Sequence, residues 1–169
     1  MKYSMILFDL DGTLLTKEYS VQQENIKLIE KLDHAGYIVG IASGRRRDEA
    51  VRFASELNIS KLKHFVIIAE NGQYIQYNHE LIHSHIYQIS TLQNLVSYEH
   101  HTNSLFFYIS DKSTFITKPI DKFLELEHVK LNRKLFDYYL SLDLKMLDVN
   151  QLDCDIQTIE MYLPKDKAV

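Results

Sequence analysis

Short apolar runs and amphipathic stretches alternate along the N-terminal part of the chain. Residues 6–8 and 37–42 are apolar runs, and an apolar stripe at helical spacing runs through residues 21–32 between them. Ser20 and Gln23 have the spacing of a capping box, and Gly36 suits the end of a helix. The pattern predicts a βαβ unit with parallel strands. The apolar run before Asp9 further predicts that the first strand is buried on both faces.

The remaining pattern predicts a second helix, a third strand, a hairpin and then a different kind of module. In the first part these elements are a helix at 48–57, a strand at 62–69 and a hairpin at 73–77 and 81–86. In the second part they are helices at 90–101, 120–129 and 136–147 and strands at 104–110, 114–117 and 156–163. We therefore predict an α/β fold with a partial parallel-sheet core in residues 1–88 and an α+β module in residues 89–169.

Composition is that of a soluble globular protein of 169 residues, with 46% hydrophobic and 25% charged residues. A net charge of −4 gives no reason to expect nucleic acid or an anionic membrane as a partner. The single cysteine, Cys154, precludes an internal disulfide. No stretch has the length of a transmembrane span, and no signal peptide precedes the first strand, so we expect a cytoplasmic protein.

Two carboxylates, Asp9 and Asp11, directly follow the first predicted strand. Residues two apart in an extended chain point to the same face, so both should project from the end of this strand. Gly12 then allows the chain to leave sharply. Paired carboxylates suit a hard cation such as Mg²⁺, and one of them could act as a nucleophile. The alternative is a solvated loop after a strand.

Polar groups also follow the second and third predicted strands. Ser43, Gly44 and Arg45 supply a small hydroxyl, a close backbone approach and a forked donor, all of which suit a phosphate. Asn71 and Gly72 follow the third strand, where they also have the composition of a simple turn. Ligands of parallel sheets bind beyond the carboxyl ends of the strands, so these groups should meet Asp9 and Asp11 at one edge.

The string Phe-Asp-Leu-Asp-Gly-Thr-Leu-Leu at residues 8–15 closely resembles the first motif of the haloacid dehalogenase superfamily of aspartyl-nucleophile phosphotransferases. Ser-Gly-Arg at residues 43–45 resembles the second motif of that superfamily. The Asn-Gly pair at residues 71–72 resembles the one after the third strand in the Cof-like branch, subfamily IIB. Residues 89–169 resemble the C2-type cap domain that this branch inserts, which covers the active site and selects the substrate.

The resemblance implies a Mg²⁺-dependent hydrolase of small phosphomonoesters, such as sugar phosphates. It implies that Asp9 is the nucleophile, that Asp11 is the general acid and base, and that both lie at the metal. Gly12, Ser43, Gly44, Arg45 and Asn71 would then surround the phosphate.

Two motifs of the resembled family have no counterpart in this sequence. They are a lysine that stabilises the aspartyl-phosphate and a Gly-Asp run that completes the metal site; the last glycine here is Gly72. We therefore expect weak or no activity from this chain by itself. Either the chain is a shortened form of a longer phosphatase, or self-association or a second polypeptide completes its sheet at the exposed edge. The alternative function is a non-catalytic phosphate-binding or interaction module. A receiver-like phosphoacceptor is a third interpretation, which the Gly-Thr after the paired acids and the cap-like module disfavour.

Overall fold

The structure is a computed structural model that describes residues 4–102, 104–110, 112–121, 141 and 143–162. The chain divides into two compact units, Met1–His85 and Ile86–Val169. No helix among the described residues is long and apolar enough to cross a membrane.

The first unit is built on a five-stranded sheet. Its strands are β1 (Met5–Phe8), β2 (Ile38–Ala42), β3 (Phe65–Ala69), β4 (Tyr74–Tyr77) and β5 (Glu80–Ser84). They lie side by side in chain order, with β1, β2 and β3 parallel and with β4 and β5 as an antiparallel hairpin beside β3. The predicted parallel strands and hairpin are therefore confirmed, and the carboxyl ends of β1, β2 and β3 share one edge.

Two helices connect the parallel strands, α1 (Gln23–His34) and α2 (Arg47–Glu56). Their apolar faces bury side chains such as Ile29 and Phe53 in one core with the sheet. The predicted end of α1 is confirmed, because Gly36 adopts a left-handed φ of 84° there. These crossovers leave the loops after β1 and β2 at the edge where the strands end.

The predicted capping box at the start of α1 is wrong. The helix begins at Gln23, and the capping residue Gln22 makes no side-chain cap hydrogen bond. The Ser20 hydroxyl instead lies 2.8 Å from the Thr16 hydroxyl, which also accepts the Ser20 N–H at 3.2 Å. Ser20 therefore closes a turn before the helix, and the helix start has no side-chain cap hydrogen bond.

The prediction that β1 is buried on both faces is also wrong. Among the described strands β1 pairs with β2 alone, so it lies at the edge of the sheet. Met5 and Leu7 are 43% and 40% exposed, while Ile6 and Phe8 are half-buried. One face of the strand is open because no described element covers it. Self-association through this edge stays a prediction.

The second unit combines one described helix, α3 (Ile89–His100), with a four-stranded sheet. The strands are β6 (Leu105–Ile109), β7 (Thr114–Ile116), β8 (Leu144–Met146) and β9 (Thr158–Tyr162), in the order β8-β7-β6-β9. The predicted helix at 136–147 is wrong at residues 144–146, which form β8 and pair in parallel with β7. Most of the predicted helix at 120–129, and residues 136–140, lie outside the described residues.

A buried carboxylate fixes α3 against β6. Glu99 is fully buried, and its oxygens accept hydrogen bonds from the Phe106 N–H and the Tyr108 hydroxyl, both at 3.1 Å. Lys118 Nζ donates to the main-chain carbonyl of Glu99 at 2.6 Å. Burial, reinforced by the Glu99 carboxylate, raises the pKa of Tyr108. These polar groups pair with one another inside the second unit.

Candidate active site

The loop after β1 carries the two predicted carboxylates. β1 ends at Phe8, so Asp9 and Asp11 both lie beyond the strand, and both are exposed. Leu10 between them is fully buried, and its carbonyl accepts the N–H groups of Leu14 at 3.1 Å and Leu15 at 2.9 Å. The buried leucine therefore anchors the loop while its acidic neighbours face solvent.

Gly12 provides the sharp exit that its position predicts. Its φ is 74°, in the left-handed region that residues with a Cβ rarely adopt. A Cβ at this position would meet nothing within 4 Å. The requirement for glycine here is therefore conformational, and the space beside Gly12 is open.

The loop after β2 carries Ser43 and Gly44. Ser43 is 8% exposed, and its N–H continues the sheet by donating to the Ile68 carbonyl at 3.0 Å. Its hydroxyl oxygen accepts the Arg45 N–H at 3.2 Å. The hydroxyl is thus held at the carboxyl edge of the sheet.

The loop after β3 is strained and lies against the loop after β2. Glu70 and Asn71 both have φ of 54°, and Gly72 follows at 91°. A Cβ on Gly44 would lie 2.8 Å from the Asn71 side-chain oxygen, so glycine there permits the close approach. Consecutive left-handed residues other than glycine are uncommon, and such strain often marks a functional site.

Arg45 joins the loop after β2 to the loop after β1. Its Nε and Nη2 donate to the two carboxylate oxygens of Asp11 at 2.8 Å and 2.7 Å, and its Nη1 donates to Glu49 at 2.6 Å. All three guanidinium nitrogens are therefore directed at carboxylates. The predicted role of Arg45 as a forked donor to the phosphate stays a prediction, and in this structure its donors are engaged by Asp11 and Glu49.

The Asp11–Arg45 pair shifts the titration of both groups. The hydrogen bonds from Arg45 lower the pKa of Asp11 below its ordinary value, against the opposing effect of partial burial. The same contact raises the pKa of Arg45. Asp11 is consequently held as a carboxylate in the free site.

Sequence reasoning missed the residues that hold Arg45 and the start of α2. Glu49 lies four residues after Arg45, a helical spacing that could have revealed the pair. Tyr19 stacks on the guanidinium at 4.8 Å, and no local signal in the sequence indicates this contact. Glu70 accepts the Arg47 N–H at 3.1 Å and so satisfies a donor at the start of α2.

The residues present fit a divalent cation only in part. The exposed carboxylate of Asp9 is a suitable oxygen ligand, and within the described residues it makes no hydrogen bond or ion pair. Both oxygens of Asp11 already accept a guanidinium donor, so its predicted place at the metal stays a prediction. The described parts of the chain contain no group of three or more acidic, histidine or cysteine side chains that could hold a metal.

Three loops thus place acidic, hydroxyl and amide side chains at the carboxyl edge of a partly parallel sheet, which defines an α/β protein with a strand-end site. The sequence profile of the haloacid dehalogenase-like hydrolases matches residues 6–164. The chain belongs to this family. The resemblance noted from the strand-end motifs is therefore confirmed.

Individual relatives agree with this assignment. A Buchnera aphidicola protein (subsp. Baizongia pistaciae) that carries a provisional phosphatase name is 32% identical over 82 residues, covering 48% of this chain and 30% of that protein. A hypothetical protein from Geobacillus kaustophilus has a TM-score of 0.74 at 16% identity, covering 98% of this chain and 59% of its own. A subclass IIB sugar phosphatase has a TM-score of 0.61 at 18% identity, covering 88% and 54%. These structures confirm the α/β fold, and the chain spans 30% to 59% of the length of these relatives.

Proposed function

We propose that the chain contributes the nucleophile half of a phosphomonoester hydrolase that acts on small phosphorylated metabolites. The observation that carries the proposal is the meeting of the three strand-end loops at one edge, with Asp11 fixed by Arg45 and Asn71 against Gly44. Membership of the hydrolase family and the sugar phosphatase that shares the fold support this reaction class.

In the proposed reaction, an oxygen of Asp9 attacks phosphorus and the bond from phosphorus to the leaving oxygen breaks, so that an aspartyl-phosphate forms. Asp11 takes up a proton when the anionic substrate binds, and it delivers this proton to the leaving oxygen. A water molecule then attacks phosphorus and gives its proton to Asp11 while the bond to Asp9 breaks, which frees the Asp9 carboxylate and leaves Asp11 protonated; release of the phosphate and of this proton restores the free site.

Ser43 and the backbone N–H groups near Gly44 bind the phosphoryl oxygens in this scheme. The Ser43 hydroxyl already accepts the Arg45 N–H at 3.2 Å, so its own proton is available to a phosphate oxygen. A bound Mg²⁺, held by Asp9 and by main-chain oxygen near Asp11, would offset the repulsion between the carboxylate and the phosphate.

The test is hydrolysis of p-nitrophenyl phosphate by the purified chain, with Mg²⁺ and with EDTA. This substrate suits the site because its leaving group needs little protonation. Turnover that requires the metal and is lost in Asp9→Asn, even if it is weak, supports the proposal. Asp153→Asn, the same change at an exposed aspartate of the second unit, should leave the rate unchanged.

The alternative function is a phosphate-binding module without turnover. The observation that favours it is the pair of hydrogen bonds from Arg45 to Asp11, because they stabilise Asp11 as a carboxylate, which has no proton to give to a leaving oxygen. Stabilisation of the fold by inorganic phosphate, together with no hydrolysis above the Asp9→Asn background, would support this alternative and contradict the proposed hydrolase.

A further inference from the structure

We propose that Arg45 is a positioning residue for Asp11, held in a preformed cage, and that it does not bind the phosphate itself. The inference deepens the proposed function and rests on it for the consequence in catalysis. The positioning is a property of the folded first unit, and it can be measured without turnover.

The contact with Arg45 fixes the orientation of the Asp11 carboxylate as well as its negative charge. Nε donates to Oδ2 at 2.8 Å and Nη2 donates to Oδ1 at 2.7 Å, so two parallel hydrogen bonds hold the carboxylate plane. A lysine could supply the same charge at one point, but it could not align both oxygens. The exposed Asp11 side chain would otherwise rotate freely in its loop.

Arg45 is itself held from three sides. Glu49 accepts a hydrogen bond from its third nitrogen, Nη1, at 2.6 Å. The rings of Tyr19 and Phe53 lie with their centroids 4.8 Å and 5.2 Å from the guanidinium carbon. As a result the arginine side chain is only 17% exposed. We call these three residues (Tyr19, Glu49 and Phe53) the arginine cage.

The turn that contains Tyr19 places its ring against the Arg45 guanidinium. Tyr19 has a φ of 59°, which is unusual for a bulky residue. The Thr16 hydroxyl holds the turn by accepting the N–H groups of Glu18 and Ser20, both at 3.2 Å. The tyrosine is 54% exposed and packs into no core, so the arginine is the contact that this strained turn provides.

A direct role in phosphate binding is disfavoured by the same geometry. Each guanidinium nitrogen already donates to a carboxylate, and two acidic side chains beside the group repel a phosphate. Arg45 could offer a substrate only the second N–H of Nη1 and of Nη2, each beside a carboxylate, from a side chain that is 17% exposed. Arg45 therefore affects the reaction by holding Asp11, the proposed acid–base residue, and not by contacting the substrate.

The first test measures the arginine side chain by nuclear magnetic resonance of the ¹⁵N-labelled chain. The Arg45 Nε–H signal is identified by its disappearance in Arg45→Lys. We expect this signal to shift and to exchange faster with water in Asp11→Asn, and to remain in place in the matched variant Asp9→Asn. Glu49→Gln should weaken the protection without removing it. A signal unchanged by Asp11→Asn would overturn the proposal.

The second test separates positioning from substrate binding by kinetics. Arg45→Lys should lower kcat for p-nitrophenyl phosphate by about 10- to 100-fold, with KM within about twofold, because a misplaced catalytic group slows the chemical step. Arg52→Lys, a matched change at an exposed arginine of α2, should alter neither constant. A raised KM with unchanged kcat would show that Arg45 binds the phosphate, and it would refute the positioning role. If the wild-type chain shows no turnover that depends on Asp9, the proposed function fails, and the resonance test still decides the positioning.

Discussion

Replacing Gly40 by alanine should destabilise the sheet that carries the candidate site. Gly40 lies in the middle of β2, opposite Leu7 of β1 and Val66 of β3. An added Cβ would lie 2.3 Å from the Val66 carbonyl oxygen and 3.0 Å from a methyl carbon of Leu7. The leucine side chain could rotate away, but the carbonyl belongs to the backbone of the neighbouring strand.

The expected cost follows from these contacts. Overpacking costs about 1–3 kcal/mol, because β2 and β3 must separate. A weakened ladder hydrogen bond adds about 1 kcal/mol. The reduced freedom of the unfolded chain returns about 0.4–1 kcal/mol to the alanine variant. We therefore expect Gly40→Ala to lower the free energy of unfolding by about 2 kcal/mol.

Gly44→Ala is the matched control for this change. Its Cβ would lie 2.8 Å from the Asn71 side-chain oxygen, which is the end of an exposed side chain that can rotate. We expect a loss of stability below about 1 kcal/mol. Urea denaturation followed by circular dichroism measures both variants. A Gly40→Ala variant as stable as the wild type, or equal losses in the two variants, would refute the steric argument.

Three further predictions concern the buried pair of the second unit and the metal. Glu99→Ala leaves the Phe106 N–H and the Tyr108 hydroxyl without their acceptor, and urea denaturation should show a loss of about 3 kcal/mol. Because folding raises the pKa of Tyr108, the free energy of unfolding should fall above about pH 10, and Tyr108→Phe should reduce this fall. The phenolate absorbance of the folded protein between about pH 9 and 11 should be the same in this variant as in the wild type, because the buried Tyr108 does not ionise there. A smaller absorbance change in the variant would contradict the burial argument. EDTA should abolish hydrolysis of p-nitrophenyl phosphate and added Mg²⁺ should restore it; turnover that survives chelation would contradict metal dependence.

Local sequence signals determined the elements and the position of the candidate site. The apolar runs around Phe8 and Ile41 predict strands because a buried strand needs apolar side chains, and Gly36 ends a helix because it adopts a left-handed φ at little cost. The Asp9 and Ser43 loops follow these strands directly in the chain. Their meeting at one edge then follows from the parallel βαβ connection alone.

Tertiary structure decided what the side chains of these loops do. Whether Arg45 faces a phosphate or Asp11 depends on its contacts with Tyr19 and Phe53. Tyr19 is distant from Arg45 in the sequence, and Phe53 lies on α2. The exposure of Met5 depends on whether a neighbour covers β1, and the strand at 144–146 depends on pairing with β7. Spacing along the chain reports local conformation, whereas pairing and coverage are set by residues far away in sequence. For this reason the sequence locates the site, and only the folded chain shows that its arginine is already engaged.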